Sequence, residues 1–387
     1  MIIENYTKIL TNEIILIIEC CKISPDFILI EEKISQIKNW DNFISLSYSH
    51  GVFPLVYKIL KKYDEKIPLD KLSFMKQTYM DIVKQNMLMT SELIKISKLL
   101  EENDIKSIAF KGPTLSQMAY GDVVSRQYVD LDVLVNESLL ESAKKILEEN
   151  NYLPKYNLEE YQKENLKDVV HDISMINKTN GINIELHWTL SSGEFFIDLE
   201  KLDYLSDTKK YQISNSDLNI FSNEKLFIYL CVHGYKHLWE RIEWLVDIYY
   251  LIIKENIDLE KVVEKSKSVD ADRIVLSTLI ICQKMFDFKI ELKSNYIEDK
   301  KLNIVTNKML EKILQEYALL KEKNHTKQFS MIHLYMLKKI SNKIKYLKTF
   351  FEPTEDDYSV IKLPKYLNNL YFLIRPFNIL KRVLFKR

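Results

Sequence analysis

Turn-forming residues are scarce in this chain: only 6 glycines and 8 prolines punctuate 387 residues. An all-β sandwich needs many tight turns, and those turns draw on glycine and proline for backbone angles that other residues avoid. So thin a supply argues against that architecture and predicts long helices joined by short polar links. The length exceeds the usual size of one compact core, which predicts two units or one core with helical extensions. With 47% hydrophobic and 28% charged residues, the chain reads as globular rather than disordered or fibrous.

Charge and cysteine usage narrow the partners and the compartment. Lys plus Arg and Asp plus Glu each total 55, so no global field attracts nucleic acid or an anionic membrane, and any basic patch is local. Cys20, Cys21, Cys231 and Cys282 show no paired CxxC spacing and have apolar neighbours. They read as buried thiols in a reducing cytoplasm. The amino terminus carries Glu4 where a signal peptide needs basic residues, so a cytoplasmic protein is expected. The apolar runs Ile14 to Ile18 and Leu245 to Ile253 fall short of the roughly 20 residues a membrane-spanning helix needs.

Three regions differ in periodicity. Residues 1–102 repeat apolar side chains at helical spacing, as in Leu93, Ile94, Ile96, Leu99 and Leu100. Within them, Trp40 to Leu60 reads as two helices broken at Gly51-Val52-Phe53-Pro54. Residues 103–221 are mixed. Ile105 to Phe110 reads as a strand ending at Lys111-Gly112-Pro113, and Tyr128 to Val135 as a second strand followed by Asn136, a good helix cap. His171 to Asn177 and Ile182 to Trp188 form two extended runs around Asn180-Gly181, a hairpin signal. Residues 222–387 return to helical spacing, with a polar interval at Phe351 to Asp357 and a basic amphipathic tail from Leu363 to Arg387. The predicted fold is α+β and predominantly helical, a small mixed sheet between helical amino- and carboxy-terminal regions.

The chemistry concentrates at Asp130-Leu131-Asp132. In a strand, side chains at i and i+2 share a face, so the two carboxylates project together about 7 Å apart along the backbone. A divalent ion with oxygen ligands relieves their repulsion, above all Mg²⁺, with Mn²⁺ as its substitute. A bare Asp-x-Asp also occurs on the solvent face of edge strands. Here the strand is otherwise apolar, a Lys-Gly turn precedes it, and the run Ile184 to Trp188 offers a third acid, Glu185, sharing a face with Asn183 and His187. Asp130, Asp132 and Glu185 are the donor set that two-metal phosphoryl transfer needs: one ion activates the attacking hydroxyl and the other holds the triphosphate. Glu185 would also accept the nucleophile's proton.

These residues resemble a known family. Phe110-Lys111-Gly112, Tyr120, Arg126, Asp130 to Val135 and Ile184 to Trp188 are similar to the uncharacterised bacterial nucleotidyltransferase family of the DNA polymerase β superfamily. The stretches His233 to Trp239 with Arg241, Trp244 to Ile248, and Tyr371 to Pro376 look like that family's helical signatures, in the same order. The resemblance implies a small mixed sheet with helices on its face, nucleoside triphosphate (NTP) and Mg²⁺ binding, and transfer of a nucleotidyl group to an acceptor that is undefined even for the family. One departure stands out. Where the superfamily's phosphate turn usually reads Gly-Ser, this chain has Lys111-Gly112-Pro113-Thr114. A helix starting at Pro113 would offer backbone N–H groups to phosphate, with Gly112 letting the ligand approach, Lys111 adding charge and Thr114 a hydroxyl.

Further nucleotide contacts are expected from Arg126, Lys236 and His237. Arg126 suits bidentate phosphate binding, or it pairs with Asp122 or a site carboxylate. His233, Lys236, His237, Glu240 and Arg241 cluster at helical spacing, so that helix would present Lys236 to the triphosphate. The His233/His237 spacing suits zinc, but without an HExxH pattern it reads as structural or phosphate-binding. Asp247 reads as a structural acid paired with a neighbouring base. The tail reads as docked on the body, with an anionic membrane surface or RNA as its alternative partners. Three function classes follow: Mg²⁺-dependent transfer of a nucleoside monophosphate (NMP), an NTP-binding module without turnover, and a toxin-like or RNA-modifying transferase.

Overall fold

The computed structural model describes residues 6, 9–155, 171–190, 197–292, 299–317, 331–348, 351, 367, 370–375 and 377. The amino-terminal region forms helices α1 (Asn12–Cys20), α2 (Phe27–Gln36), α3 (Trp40–Ser49), α4 (Phe53–Leu60) and the 33-residue α5 (Leu69–Glu101). Local chemistry starts them: the side chains of Thr11, Asp26 and Asn39 accept backbone N–H groups of the first turns of α1, α2 and α3, and Pro54 lies in the first turn of α4. The α3–α4 break falls where the sequence places it. Gly51 is required there, since its φ is +74° and a Cβ would sit 1.5 Å from Glu243 Oε2.

The middle region continues as β1 (Ile108–Ala109), α6 (Gly112–Tyr120), β2 (Asp130–Leu134), α7 (Leu140–Glu149), β3 (Tyr152–Pro154), β4 (Asp172–Asn177), β5 (Asn183–His187), β6 (Thr208–Ile213) and β7 (Ser216–Phe221). Five strands make one mixed sheet in the order β1-β2-β5-β4-β3, parallel only between β2 and β5. The expected β4–β5 hairpin forms at Asn180-Gly181. The run expected as a strand from Ile105 to Phe110 pairs only over two residues. The β6–β7 hairpin is an additional element: its connection, Ser214-Asn215, is built of polar turn residues without glycine, and Ser214 itself adopts a positive φ of 54°.

Helices then resume: α8 (Asn223–Lys236), α9 (Ile242–Lys254), α10 (Leu259–Ser268), α11 (Asp272–Phe286), α12 (Lys300–Tyr317), α13 (Met331–Met336) and α14 (Ile340–Lys348). The protein is mostly helical with a small mixed sheet, as expected for α+β. Among the described residues no helix is long and apolar enough to cross a membrane. The four cysteines are buried and free. Of the basic tail, Tyr371 and Arg375 are buried, whereas Lys365, Lys381, Arg382, Lys386 and Arg387 lie outside the described residues, as do residues 352–357 of the polar interval.

Two apolar cores position the site. One face of the sheet, with Leu131, Val133, Ile184 and Leu186 all fully buried, packs against Met89, Leu93, Ile96 and Leu100 of α5 and Ala143 and Leu147 of α7. The larger core joins the first and last helical regions: Ile14 to Ile18, Phe43, Phe53 and Val56 pack with Phe227, Leu245, Ile281 and Leu310. Polar ties cross the same boundary, for the Glu243 N–H donates to the His50 carbonyl at 3.1 Å and His50 Nε2 donates to the Tyr317 carbonyl at 2.9 Å.

His50 makes this junction acid-sensitive. It is 5% exposed, and burial, helped by the charge of Arg241, pushes its imidazole down to about 4, against the smaller upward pull of the Tyr317 carbonyl. Below about pH 6.5 the unfolded chain takes up a proton that the folded one refuses, so this contribution is complete above that pH and is lost as pH falls toward 4. About 3 kcal/mol of stability is expected to go over that window. Urea unfolding of the wild type and of His50→Gln, which keeps a donor but cannot titrate, checks it; equal acid sensitivity in both would assign the loss to other groups.

Candidate active site

The site is built by strand register. β2 and β5 run parallel with Asp130 beside Asn183 and Asp132 beside Glu185, and β4 sets Asp172 across from His187. Paired residues point to the same side of a sheet, so Asp130, Asp132, Asn183, Glu185, His187 and Asp172 share the face opposite the α5–α7 core. Asp132 is the buried centre, its side chain 1% exposed. Lys111 Nζ lies 2.6 Å from Asp132 Oδ1, and His187 Nε2 approaches Asp132 Oδ1 at 3.2 Å and Glu185 Oε2 at 3.7 Å.

Charge in this pocket is unevenly shared. Burial works against the Asp132 carboxylate, but Lys111 and the His187 contact outweigh it and hold its pKa below the ordinary range. Lys111 is correspondingly held well above its usual value: burial opposes its charge, and Asp132, with Asp130 and Glu185 behind it, prevails. With that one ammonium committed, the other acids are left short of positive charge. Burial first, and the Asp132 charge second, raise Asp130, and the same two causes push Glu185 up to about 8. A pocket that raises two carboxyls in this way is short of cations.

The donor chemistry fits one. Asp132 Oδ2 is buried with no hydrogen-bond partner, an expensive arrangement unless another ligand uses it. Donor atoms of Asp132, Glu185 and His187 lie within 4.8 Å of one another; Asp130, on the same face, stands outside that close grouping. Two carboxylates with a further acid alongside suit a hard divalent ion, and His187 faces both carboxylates through Nε2.

The turn before α6 lies against β2. Gly112 has a φ of +54°, which favours glycine, and a Cβ there would lie against the Asp130 carbonyl at 3.5 Å. Pro113 is in the first turn of α6, and the Thr114 hydroxyl donates to the Lys111 carbonyl at 2.8 Å, so it serves the turn itself.

Arg126 is engaged elsewhere. Its Nε donates to Asp247 Oδ2 at 2.9 Å and its Nη2 lies 3.4 Å from Glu243 Oε1. Tyr120 donates to Asp247 at 2.7 Å, and Arg241 reaches Glu243 at 2.8 Å. Neither Asp122, which pairs with Lys58 at 2.8 Å, nor Asp132 is its partner. The guanidinium therefore fastens α9 to the approach of the carboxylate strand.

Beside the carboxylates opens a cleft lined by His171, His187, Tyr229, His233 and Lys236 with Leu190, Ile197, Leu199 and Val232. Tyr229, Val232, His233 and Lys236 come from one stripe of α8 at helical spacing. Lys236 thus shares a wall with His187. His237 is not among the lining residues; its ring sits 5.0 Å from His233 and 5.3 Å from Trp244.

His187 is the participant to which sequence patterns assign no role. Two-residue periodicity already sets it on the face of Glu185, but its approach to Asp132 depends on the parallel register. Tyr229 likewise enters only through the tertiary packing of α8, its ring 5.2 Å from Phe110 and its phenol held neutral by burial against the smaller pull of the Lys111 charge.

A search of curated proteins finds no match to this chain. The profile of a family described as uncharacterised nucleotidyltransferase matches residues 37–287, from α3 through the mixed sheet to the end of α11. That span contains the carboxylate face, the Lys111 turn and the α8 wall of the cleft, and with well over half of the sequence matched, the chain belongs to this nucleotidyltransferase family.

Proposed function

We propose that the protein is a Mg²⁺-dependent nucleotidyltransferase that moves an NMP group from an NTP to an acceptor hydroxyl, with pyrophosphate leaving. The observation that carries this reading is the parallel register setting Asp132 beside Glu185, with the Asp132 Oδ2 atom buried and unpartnered. Asp130, Asp132 and Glu185 would hold the divalent ions, and His187 would orient Asp132. The ions, when bound, neutralise the triphosphate and lower the pKa of the attacking hydroxyl.

The chain's own residues do the rest. Lys236, which lines the cleft, would hold one phosphate, and the first turn of α6, with Gly112 free of a side chain, would offer backbone donors to another. Glu185, which burial and the neighbouring carboxylates make a stronger base than an ordinary carboxylate, would in its ionised form accept the acceptor's proton as the new oxygen–phosphorus bond forms and the bond between α- and β-phosphates breaks. Lys111, beside Asp132 on the same face, would supply positive charge to the pyrophosphate as it leaves.

Purified protein incubated with each α-labelled NTP, Mg²⁺ or Mn²⁺ and a size-fractionated cell extract tests this. Label is expected to move to one fraction with pyrophosphate released. Label confined to low-mass fractions excludes the RNA-modifying version. Saturable NTP binding with no transfer in any fraction would leave an NTP-binding module instead, the reading favoured by the Thr114 hydroxyl being spent within the turn.

A further inference from the structure

A second group of donors borders the cleft, and two of its members, His171 and Asp172, have no part in the proposed transfer. His171 immediately precedes β4, Asp172 opens the strand, and antiparallel pairing sets Asp172 directly across from His187. One donor atom from each of the three lies within 4.8 Å of the others. His171 Nε2 is 3.5 Å from Asp172 Oδ1, and the two imidazole rings are 5.7 Å apart and tilted by 37°. Both histidines line the cleft.

His187 supplies the independent indication of a ligand. Its Nε2 lies 3.2 Å from the Asp132 carboxylate, which accepts and cannot donate while paired to Lys111. The ring proton therefore belongs on Nε2, and Nδ1 carries the lone pair. Nδ1 is buried without a hydrogen-bond partner in a residue only 3% exposed. Burying an unused acceptor is costly. An imidazole that donates one N–H to a carboxylate and keeps the other nitrogen for an ion is the usual arrangement of a metal-ligating histidine, the carboxylate fixing tautomer and orientation.

We propose that His171, Asp172 and His187 bind a first-row transition ion of the zinc class at the wall of the cleft, separate from Mg²⁺ held by the carboxylates. Two imidazoles and one carboxylate favour such an ion over Mg²⁺, which prefers oxygen donors alone. Three protein ligands with further positions left over is the pattern of an open rather than a closed structural site. Those positions give onto the cleft that Lys236 also lines, so the bound ion would take a phosphate oxygen there. The site does not rest on the transfer reading, because the ion binds whether or not an NMP group moves.

Co²⁺ is the probe, added to metal-stripped full-length protein with excess Mg²⁺ present to fill the oxygen sites. One equivalent is expected to bind with visible ligand-field absorption. His171→Ala, a change at a side chain 27% exposed, is expected to abolish that absorption and weaken binding about tenfold or more. His171→Cys is expected to keep the ion and add a thiolate charge-transfer band, and Glu185→Gln to leave the spectrum unchanged. Absorption that survives His171→Ala, that disappears with Glu185→Gln, or that never develops in the wild type overturns the assignment. Circular dichroism checks that each variant folds. NMP transfer is assayed separately, so an intact cobalt spectrum without transfer still supports the ion site and counts only against the transfer reading.

Discussion

NMP transfer is expected to fall at least about a thousandfold when Asp130 and Asp132 are both replaced by asparagine, with helix content unchanged. The magnitude follows from the loss of several kcal/mol of transition-state charge stabilisation at about 1.4 kcal/mol per decade of rate. Asparagine keeps the shape and removes the anions, so the substitution tests charge rather than packing. The two sites differ in their cost to the fold. Asp130 is partly exposed and its charge is already disfavoured by burial and by Asp132, so Asp130→Asn alone should be tolerated. Asp132→Asn takes the buried partner from Lys111, which sits 2.6 Å away, and should destabilise by a few kcal/mol, on the order of breaking a buried pair from one side. Initial rates of labelled NMP incorporation, read alongside circular dichroism, separate the two effects. Transfer by the double variant within tenfold of the wild type would falsify the assignment of these carboxylates to the metal.

Arg126→Met is expected to cost about 3–5 kcal/mol of stability, because it strands Asp247 at 1% side-chain exposure and deprives Glu243 at 3% of one of its two arginines. Removing Asp247 as well, in Arg126→Met/Asp247→Leu, should restore a large part of that loss, since apolar side chains of similar volume replace a buried ion pair at little net cost. The Tyr120 hydroxyl, which donates to Asp247 at 2.7 Å, would keep the recovery incomplete by about 1 kcal/mol. Urea unfolding of wild type, single and double variants measures the cycle. A single variant that is as stable as the wild type but no longer binds NTP would make Arg126 a phosphate contact and set its ion pairs aside.

Elements with a local cause are legible in the residues alone. Helical spacing marks the amino-terminal helices, Gly51 to Pro54 the break between α3 and α4, and Asn180-Gly181 the β4–β5 hairpin. The β6–β7 hairpin is harder to read because its turn, Ser214-Asn215, has no glycine, and a polar Ser-Asn pair marks ordinary loops as readily as hairpins. At the site, period-two alternation is enough to put Asp130 with Asp132, and Glu185 with His187, on common faces, for that requires only that each run be a strand.

The sequence by itself therefore determined a helix-rich chain, a small sheet and two polar strand faces bearing carboxylates, because helical and strand periodicity and turn chemistry act over a few residues. Only the tertiary structure decided that β2 and β5 lie parallel with Asp132 beside Glu185, that Lys111 answers Asp132, and that His187 joins them from 55 residues away. It also decided that Arg126 serves Asp247, 121 residues distant, and that the first helices share a core with the last. Such pairings depend on which strands align and which helices cover them. That choice is fixed by burial summed over the whole chain, and no local pattern encodes it.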